Sequence, residues 1–354
     1  MSIILKGNNI ASSDKGIGPS EVTNIKVSQN TSSIILSWTN PSNVVINGTT
    51  LSTFDHVIIV KNTSRIPSSA KDGTVIYNGK STTCTDSNVT KNTKYYYRFF
   101  VYDTNKLCNN NINMIIESTF YGINPVLKNN SWEQINTASR IGVASDLWKV
   151  GDEIDLTLSG TFNETVTLQI WDFNHFDKSD GSGKAGICFG MKNLMKDYQK
   201  MIPYSDSDFH YWEGVTMRTT IMQNILKSMP SDLQNVIKTV DTYASTGGGE
   251  SRPHTGEMSM DKVFLPGFTE VSNSYSAQNI TESGQKKFPI FTDNNSRIKK
   301  LSNGSGNACD WWSRSQYWVG YGGRMFIYIG NNGDGGGRYD YAHYSNGVCF
   351  CFNV

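Results

Sequence analysis

Between Glu21 and Phe120 the chain repeats one pattern, a short alternating apolar run followed by a break rich in Asn, Gly, Ser or Pro. The runs fall at 22–27, 34–39, 55–60, 75–77, 94–102 and 114–120. Alternation with period two puts every second side chain on one face, so these runs read as strands. Six such runs in ~100 residues come close to the ~7 strands of an antiparallel β-sandwich.

At 354 residues the chain exceeds the ~250–300 at which single cores stop growing, which predicts two domains. The longest apolar runs, such as Val57-Ile58-Ile59-Val60, fall far short of the ~20 residues of a spanning helix, so no membrane insertion is expected. The formal charge is +1 and the sequence pI about 7.6, which gives no global field for nucleic acid or anionic lipid. The start, Met1-Ser2-Ile3-Ile4-Leu5-Lys6-Gly7, lacks the basic and long apolar blocks of a secretory signal, so synthesis in a cytoplasm is expected. Six cysteines without a Cys-x-x-Cys pair are too sparse for a disulfide scaffold and read as buried free thiols.

Residues 1–20 are polar, with one apolar patch at Ile3-Ile4-Leu5, and are expected to form an attachment arm. Within the sandwich at 21–121, Trp38 closes the second run and Tyr95 precedes the long aromatic run through Tyr102. With Trp38 on the core Trp and Tyr95 on the corner Tyr, this half resembles a fibronectin type III domain, which implies a spacer. Tyr96, Phe100 and Tyr102 are read as packing on the opposite face. Residues 122–130, with Pro125 and no periodicity, read as a linker.

From Trp132 the pattern changes. Trp132-Glu133-Gln134-Ile135 predicts a short helix, and 148–156 and 166–175 predict paired strands. Met217, Ile221, Met222, Ile225 and Leu226 share one face of a predicted helix. Leu233, Val236, Ile237 and Val240 share a face of a second, beyond Pro230-Ser231. Residues 246–254, with three consecutive glycines, are expected to be a loop, and 261–266 a strand returning from it.

The last forty-odd residues begin at Ala308-Cys309-Asp310-Trp311-Trp312-Ser313-Arg314-Ser315 and end at Gly347-Val348-Cys349-Phe350-Cys351-Phe352, both read as buried strands. Between them, glycine runs alternate with Tyr, Trp and Arg. Glycine permits long excursions from a scaffold, and the aromatic and Arg side chains supply contact area at low rotamer cost. The candidate receptor-binding residues are Trp318, Tyr321, Arg324, Tyr328, Asp334, Arg338, Tyr339, Tyr341, His343 and Tyr344; Trp311, Trp312 and Arg314 are assigned to the core.

In this order, Trp132-Glu133-Gln134-Ile135, Trp148-Lys149-Val150-Gly151-Asp152, Asp172-Phe173-Asn174-His175, Met217-Arg218, 233–238, 261–266 and Trp311-Trp312-Ser313-Arg314-Ser315 resemble one family. Its members close phage tail and tail-fibre proteins and Gram-positive surface proteins, and its last third is similar to C-type-lectin-like folds. Over residues 131–354 the resemblance implies an α+β receptor-binding domain, and with the sandwich a multidomain chain. It further implies a phage or phage-tail-like-particle tail protein, assembled in the host cytoplasm and carried on the virion or particle. Expected partners are a host cell-surface glycan or surface-layer protein and, through the N-terminal region, baseplate or tail-fibre proteins. Fibre tips imply a homotrimer, although no heptad or fibrous repeat drives three-fold assembly. The family usually ends in Gly-Val-Arg-Pro-Ala, whereas this chain has Gly347-Val348-Cys349-Phe350-Cys351-Phe352.

Other chemistries fare less well. His175, His210 and His254 could converge on a metal with Asp172 or Asp208, but no metal-site spacing supports it. The Cys349/Cys351 pair invites comparison with formylglycine-generating enzymes, and Glu250, Glu257 and Asp261 are the nearest acids in sequence for glycan cleavage. No catalytic residue, metal or cofactor is assigned; a calcium ion near Asp334 and Asp340 is the minor alternative, since 331–340 interleaves oxygen donors with glycine. Arg324, Tyr328, Arg338, Tyr339 and Tyr341 could stack on bases, but near-neutral charge argues against nucleic acid. The rival readings are a bacterial adhesin or carbohydrate-binding module, and a cell-wall-polymer-degrading enzyme.

Overall fold

The computed structural model describes residues 16–205, 211–248, 256–272, 282, 285–302, 306–320, 323–334 and 338–354. The chain divides between Asn124 and Pro125 into two compact units, both rich in β-structure. Most of the predicted attachment arm, residues 1–15, lies outside the described residues.

Unit 1 contains β1 (Thr23–Gln29), β2 (Ile34–Thr39), β3 (Phe54–Asn62), β4 (Thr74–Gly79), β5 (Thr83–Asp86), β6 (Thr93–Asp103) and β7 (Ile115–Phe120). They form two antiparallel sheets, β1-β2-β5 and β7-β6-β3-β4. Alternation works as it should: Ile34, Leu36 and Trp38 point into the core with Val57, Ile59, Tyr97, Phe99 and Val101. Trp38 lies edge-on to both Tyr77 and Phe99, at 5.3 Å between ring centroids. The Tyr95 hydroxyl accepts the Thr90 N–H at 2.7 Å, tying the turn before β6 to the sandwich. Of the surplus aromatics, Phe100 is buried beneath the Arg98 guanidinium and Tyr102 stacks on His56.

Inside this core sits an ion pair. Lys61 Nζ lies 2.9 Å from Asp86 Oδ1 and 2.8 Å from Oδ2, and Tyr97 donates its hydroxyl to Oδ2 at 2.9 Å. Burial, together with the carboxylate so close to its hydroxyl, pushes the Tyr97 pKa well up. Asp86→Ala would strand a buried ammonium, so it should cost about 3–5 kcal/mol, read as a lowered denaturation midpoint of unit 1 in the full chain.

Unit 2 opens with α1 (Trp132–Arg140), which starts where Ser131 and Gln134 form a reciprocal cap. Its inward stripe, Trp132, Ile135 and Ala138, follows helical spacing. The first sheet contains β8 (Glu153–Leu158), β9 (Glu164–Phe173) and β10 (Ile187–Met191). The second sheet begins with β11 (Val240–Gly248) and β12 (Gly256–Asp261). After these come β13 (Val263–Phe264), the single turn α2 (Phe268–Val271) and the single turn α3 (Asn294–Arg297). The chain ends with β14 (Trp311–Gly320), β15 (Gly323–Ile329), β16 (Arg338–Tyr341) and β17 (Cys351–Asn353).

One sheet runs β8-β9-β10-β17-β13, all antiparallel. The other runs β12-β11-β14-β15-β16, with β11 and β14 parallel. The unusual last strand is core: Cys349, Phe350, Cys351 and Phe352 are all buried, and Phe352 meets Phe189 and Trp132. Gly190, beside Cys351 in the ladder, lies flat under Trp171, where a Cβ would come within 2.2 Å of the indole.

Two expectations are corrected. The first Met-rich segment is helical, as a π-type turn at 217–222 continuing into an α-helix at 223–228, but the second helix is only the single turn Ser231–Gln234. Leu233, Ile237 and Val240 do point inward together, yet tertiary packing holds the last two in extended chain. The Lys238 N–H bonds to the Asn353 carbonyl, and Val240 already pairs with Asp261. β-Branched Val236, Ile237, Thr239 and Val240 favour that choice. Likewise Thr246, Gly247 and Gly248 belong to a strand, with Thr246 opposite Gln316 and Gly248 opposite Trp318; residues 249–254 lie outside the described residues.

Arg314, fully buried on β14, holds these pieces together. Its Nε donates to the Tyr243 carbonyl at 2.9 Å and its Nη1 to the Leu265 carbonyl at 2.8 Å. The guanidinium fork closes on Glu270, Nη1 to Oε2 at 2.9 Å and Nη2 to Oε1 at 2.6 Å. Burial works against the charge, Glu270 more than offsets it, and the Arg314 pKa ends above its ordinary value. Arg314→Met leaves Glu270 buried and unpaired and should lower stability by about 3–5 kcal/mol. Adding Glu270→Leu should recover most of that loss in chemical denaturation of the full chain.

Candidate functional site

The base of the candidate surface is set by β14. The Trp311 indole donates to the Arg297 carbonyl at 3.1 Å, the Trp312 indole to the Gln199 carbonyl at 2.9 Å, and Ser313 to the Ile327 carbonyl at 2.9 Å. Lys299 is buried among Trp171, Phe291 and Trp311, its ammonium 5.1–5.8 Å from the three ring centroids. Its Nζ donates to the Met191 and Lys192 carbonyls at 2.6 and 3.0 Å, and burial pulls its pKa down.

The chain leaving β15 is tied down at Asn331 and Gly333. Asn331 N–H bonds to Asp310 Oδ1 at 2.6 Å, and Arg297 Nε donates to the Gly333 carbonyl at 2.9 Å. Gly333 has φ +71°, and a Cβ there would meet the Asn294 carbonyl oxygen at 1.8 Å, so the position requires glycine.

Four described tyrosines nearby face solvent. Tyr204 is 79% exposed, Tyr344 50%, Tyr339 46% and Tyr341 39%. Tyr341 stacks on His343 at 5.5 Å, His343 meets Tyr344 edge-on at 4.8 Å, and Tyr204 closes on His343 at 5.1 Å. Tyr339 lies parallel to Tyr317 at 4.1 Å. Backbone bonds fix the patch from below: Met201 and Ile202 both donate to the Ala342 carbonyl, and Tyr344 N–H to the Tyr341 carbonyl. The rings are thus preorganised, so contact with a flat apolar or sugar face requires little further ordering.

Of the residues read from sequence, Tyr339, Tyr341, His343 and Tyr344 come together here. Tyr328 is half-buried and set edge-on to Trp312, so it belongs to the base. Asp334 donates its backbone N–H to Asn332 Oδ1 at 3.1 Å. Trp318 lies on β14, Arg324 on β15 and Arg338 on β16, while Tyr321 lies outside the described residues. Tyr204 was missed: it stands alone in Pro203-Tyr204-Ser205, with no local pattern to mark it. Among the described residues no group of three or more His, Cys, Asp or Glu is placed to hold a metal ion.

A second place draws chemistry together. The β9–β10 register shifts at Trp171, so Ile170 and Trp171 are both buried while Asp172 emerges toward solvent. Asn174, at φ +56°, turns the chain, and His175 Nδ1 comes to 2.7 Å from Asp172 Oδ2. The imidazole is stacked on Phe288 at 4.1 Å and edge-on to Phe176. This dyad lines a cleft of about 600 Å³ whose other walls include Asp177, Lys184, Asp241, Tyr243 and Lys286. His210, His254, Asp208 and Glu250 lie outside the described residues. Asp261 is structural, accepting from Trp212, Arg218 and Thr242. Cys349 and Cys351 are buried thiols whose pKa burial pushes up, the wrong state for a nucleophile.

Residues 191–354 match a family described only as a domain of unknown function, DUF6273. No curated protein matches the chain. Among solved structures it is similar to titin kinase and its flanking domains, at 13% identity and a TM-score of 0.20, over 72% of this chain and 40% of that one.

Asp340 alternates with Tyr339 and Tyr341 along β16, and partial burial raises its carboxyl above the ordinary value; the Tyr341 backbone N–H and His343 oppose this, and Asp310 adds to it. A carboxyl that holds its proton more tightly when folded favours folding at acid pH, and that contribution is lost as pH rises through the raised value. Asp340→Asn should therefore lessen the loss of urea midpoint of unit 2 that sets in as pH rises above about pH 4, relative to the parent chain.

Proposed function

We propose that this chain is a receptor-binding protein of a phage or phage-tail-like particle that attacks a Gram-positive host. Unit 1 is a fibronectin type III-like spacer; the strand order β1-β2-β5 against β7-β6-β3-β4 supports this, as do buried Trp38 and the Tyr95–Thr90 bond. Unit 2 is a C-type-lectin-like domain. In support, the entry to its last strand is clasped by the Trp-Trp strand: Gly347 N–H bonds to the Asp310 carbonyl and Trp312 N–H to the Gly347 carbonyl.

The observation that carries the reading is the exposed cluster of Tyr204, Tyr341, His343 and Tyr344 on a base of buried tryptophans. Such rings stack on sugar or protein faces, His343 adds hydrogen bonding, and the ligand is a cell-surface glycan or surface-layer protein. Each contact is weak, and several copies per particle raise the effective affinity about 10²–10⁴-fold. The arm at 1–20 attaches the chain to the baseplate or fibre.

Tyr341→Ala with Tyr344→Ala should abolish adsorption of the labelled chain to host cells while leaving its melting temperature within about 2 °C of the parent, since both side chains are solvent-exposed. Unchanged adsorption by the folded variant would refute the surface. Cells stripped of glycan, compared with cells stripped of their protein coat, identify which of the two is bound.

A further inference from the structure

The cleft beside Asp172 and His175 differs from an ordinary small-molecule pocket. At about 600 Å³ it has the usual volume, but polar and charged side chains dominate its walls where apolar lining is the rule. An occupant must therefore bring its own hydrogen-bonding groups.

The imidazole supplies direction. Only 3% of the His175 side chain is exposed. In the tautomer whose Nδ1–H donates to Asp172, Nε2 is an acceptor, and among the described residues nothing donates to it. It is not sealed away among the buried unsatisfied atoms, so it opens into the cleft it lines.

Charge narrows the ligand further. Three carboxylates, Asp172, Asp177 and Asp241, face two ammonium groups, Lys184 and Lys286. Lys184 is already held by Asp177 at 2.9 Å, and Asp172 by the imidazole. The Asp241 carboxylate makes no hydrogen bond or ion pair among the described residues, although its backbone N–H is bound by the Asp177 carbonyl. Free acceptors and a net negative wall select a ligand rich in donors and carrying positive charge, and they disfavour polyanions. Phe173 and Phe176 add apolar surface for the ring of such a ligand.

We propose that this cleft binds a saccharide unit bearing a protonated amine, with its hydroxyls donating to His175 Nε2 and its ammonium to Asp241. The inference deepens the glycan reading above by naming the class of sugar, and rests on that reading only in taking the ligand to be a glycan.

Titrating the full-length chain with glucosamine, glucose and glucuronate, by calorimetry or ligand-observed NMR, tests it. Glucosamine should bind most tightly and glucuronate least. Asp241→Asn keeps shape and removes charge, so it should weaken glucosamine about tenfold, the loss expected of one charge-assisted hydrogen bond, and leave glucose unchanged. His175→Gln should weaken both sugars; should that variant fail to fold, Asp241→Asn alone carries the test. Absence of glucosamine binding, equal binding of glucuronate, or glucosamine binding indifferent to Asp241→Asn overturns the proposal. Free sugar reports on the cleft alone, whereas adsorption to cells reports on the tyrosine surface. Adsorption that persists without glucosamine binding therefore overturns the cleft and leaves the surface reading standing. Glucosamine binding that is lost in Asp241→Asn supports the cleft even where cells are not adsorbed.

Discussion

Everything in unit 2 that faces outward depends on one buried contact, the fork of Arg314 on Glu270. A charge taken out of water is costly unless every donor finds an acceptor, and here two backbone carbonyls, both carboxylate oxygens and the Gln285 side-chain oxygen meet that demand. The arrangement works as a register pin. Tyr243 lies on β11, Leu265 follows β13 and Glu270 lies on α2, so a slip of any of these elements would strand part of the guanidinium in apolar surroundings. Because β11 and β14 pair in parallel, with few backbone bonds between them, the side-chain pin supplies order that the ladder alone would supply weakly.

Lys299 solves a similar problem differently. No carboxylate pairs with it among the described residues; it donates to two carbonyls and lies over three aromatic rings. The rings' negative faces and the carbonyl dipoles offset part of the burial cost, and the lowered pKa shows that the offset is incomplete. The residual cost is tolerated where the cation joins the Trp171 side of one sheet to Trp311 of the other.

How far the sequence foretold this differs between the units. In unit 1, β2 turns one face to the core and the other outward, so period-two alternation could be read directly from Ile34-Ile35-Leu36-Ser37-Trp38. In unit 2, β10 is buried on both faces, all five of its residues lying inside, so no alternation remains to be read. Leu233, Ile237 and Val240 show the opposite failure: three inward residues at helical spacing belong to a turn, a connection and a strand that face one core. The aromatic surface was legible because composition is a property of the segment, and Tyr339, Tyr341, His343 and Tyr344 lie close together in the chain. Tyr204 and the Asp172–His175 cleft were not, because each is assembled by contacts between distant segments. A bulge at Trp171 moreover changes which face Asp172 presents, and no pattern count reveals a bulge.

The placement of glycine separates support from contact. Gly190 and Gly333 are fixed by close approach to an indole and to a carbonyl oxygen, so substitution there would push apart the base and not the surface. Tyr341 and Tyr344, by contrast, meet each other and His343 and are solvent-exposed. A surface built this way can change its side chains without repaying the desolvation of Arg314 or Lys299. The same fold could therefore carry different exposed side chains, provided that the buried cations and the glycines beneath them stay in place.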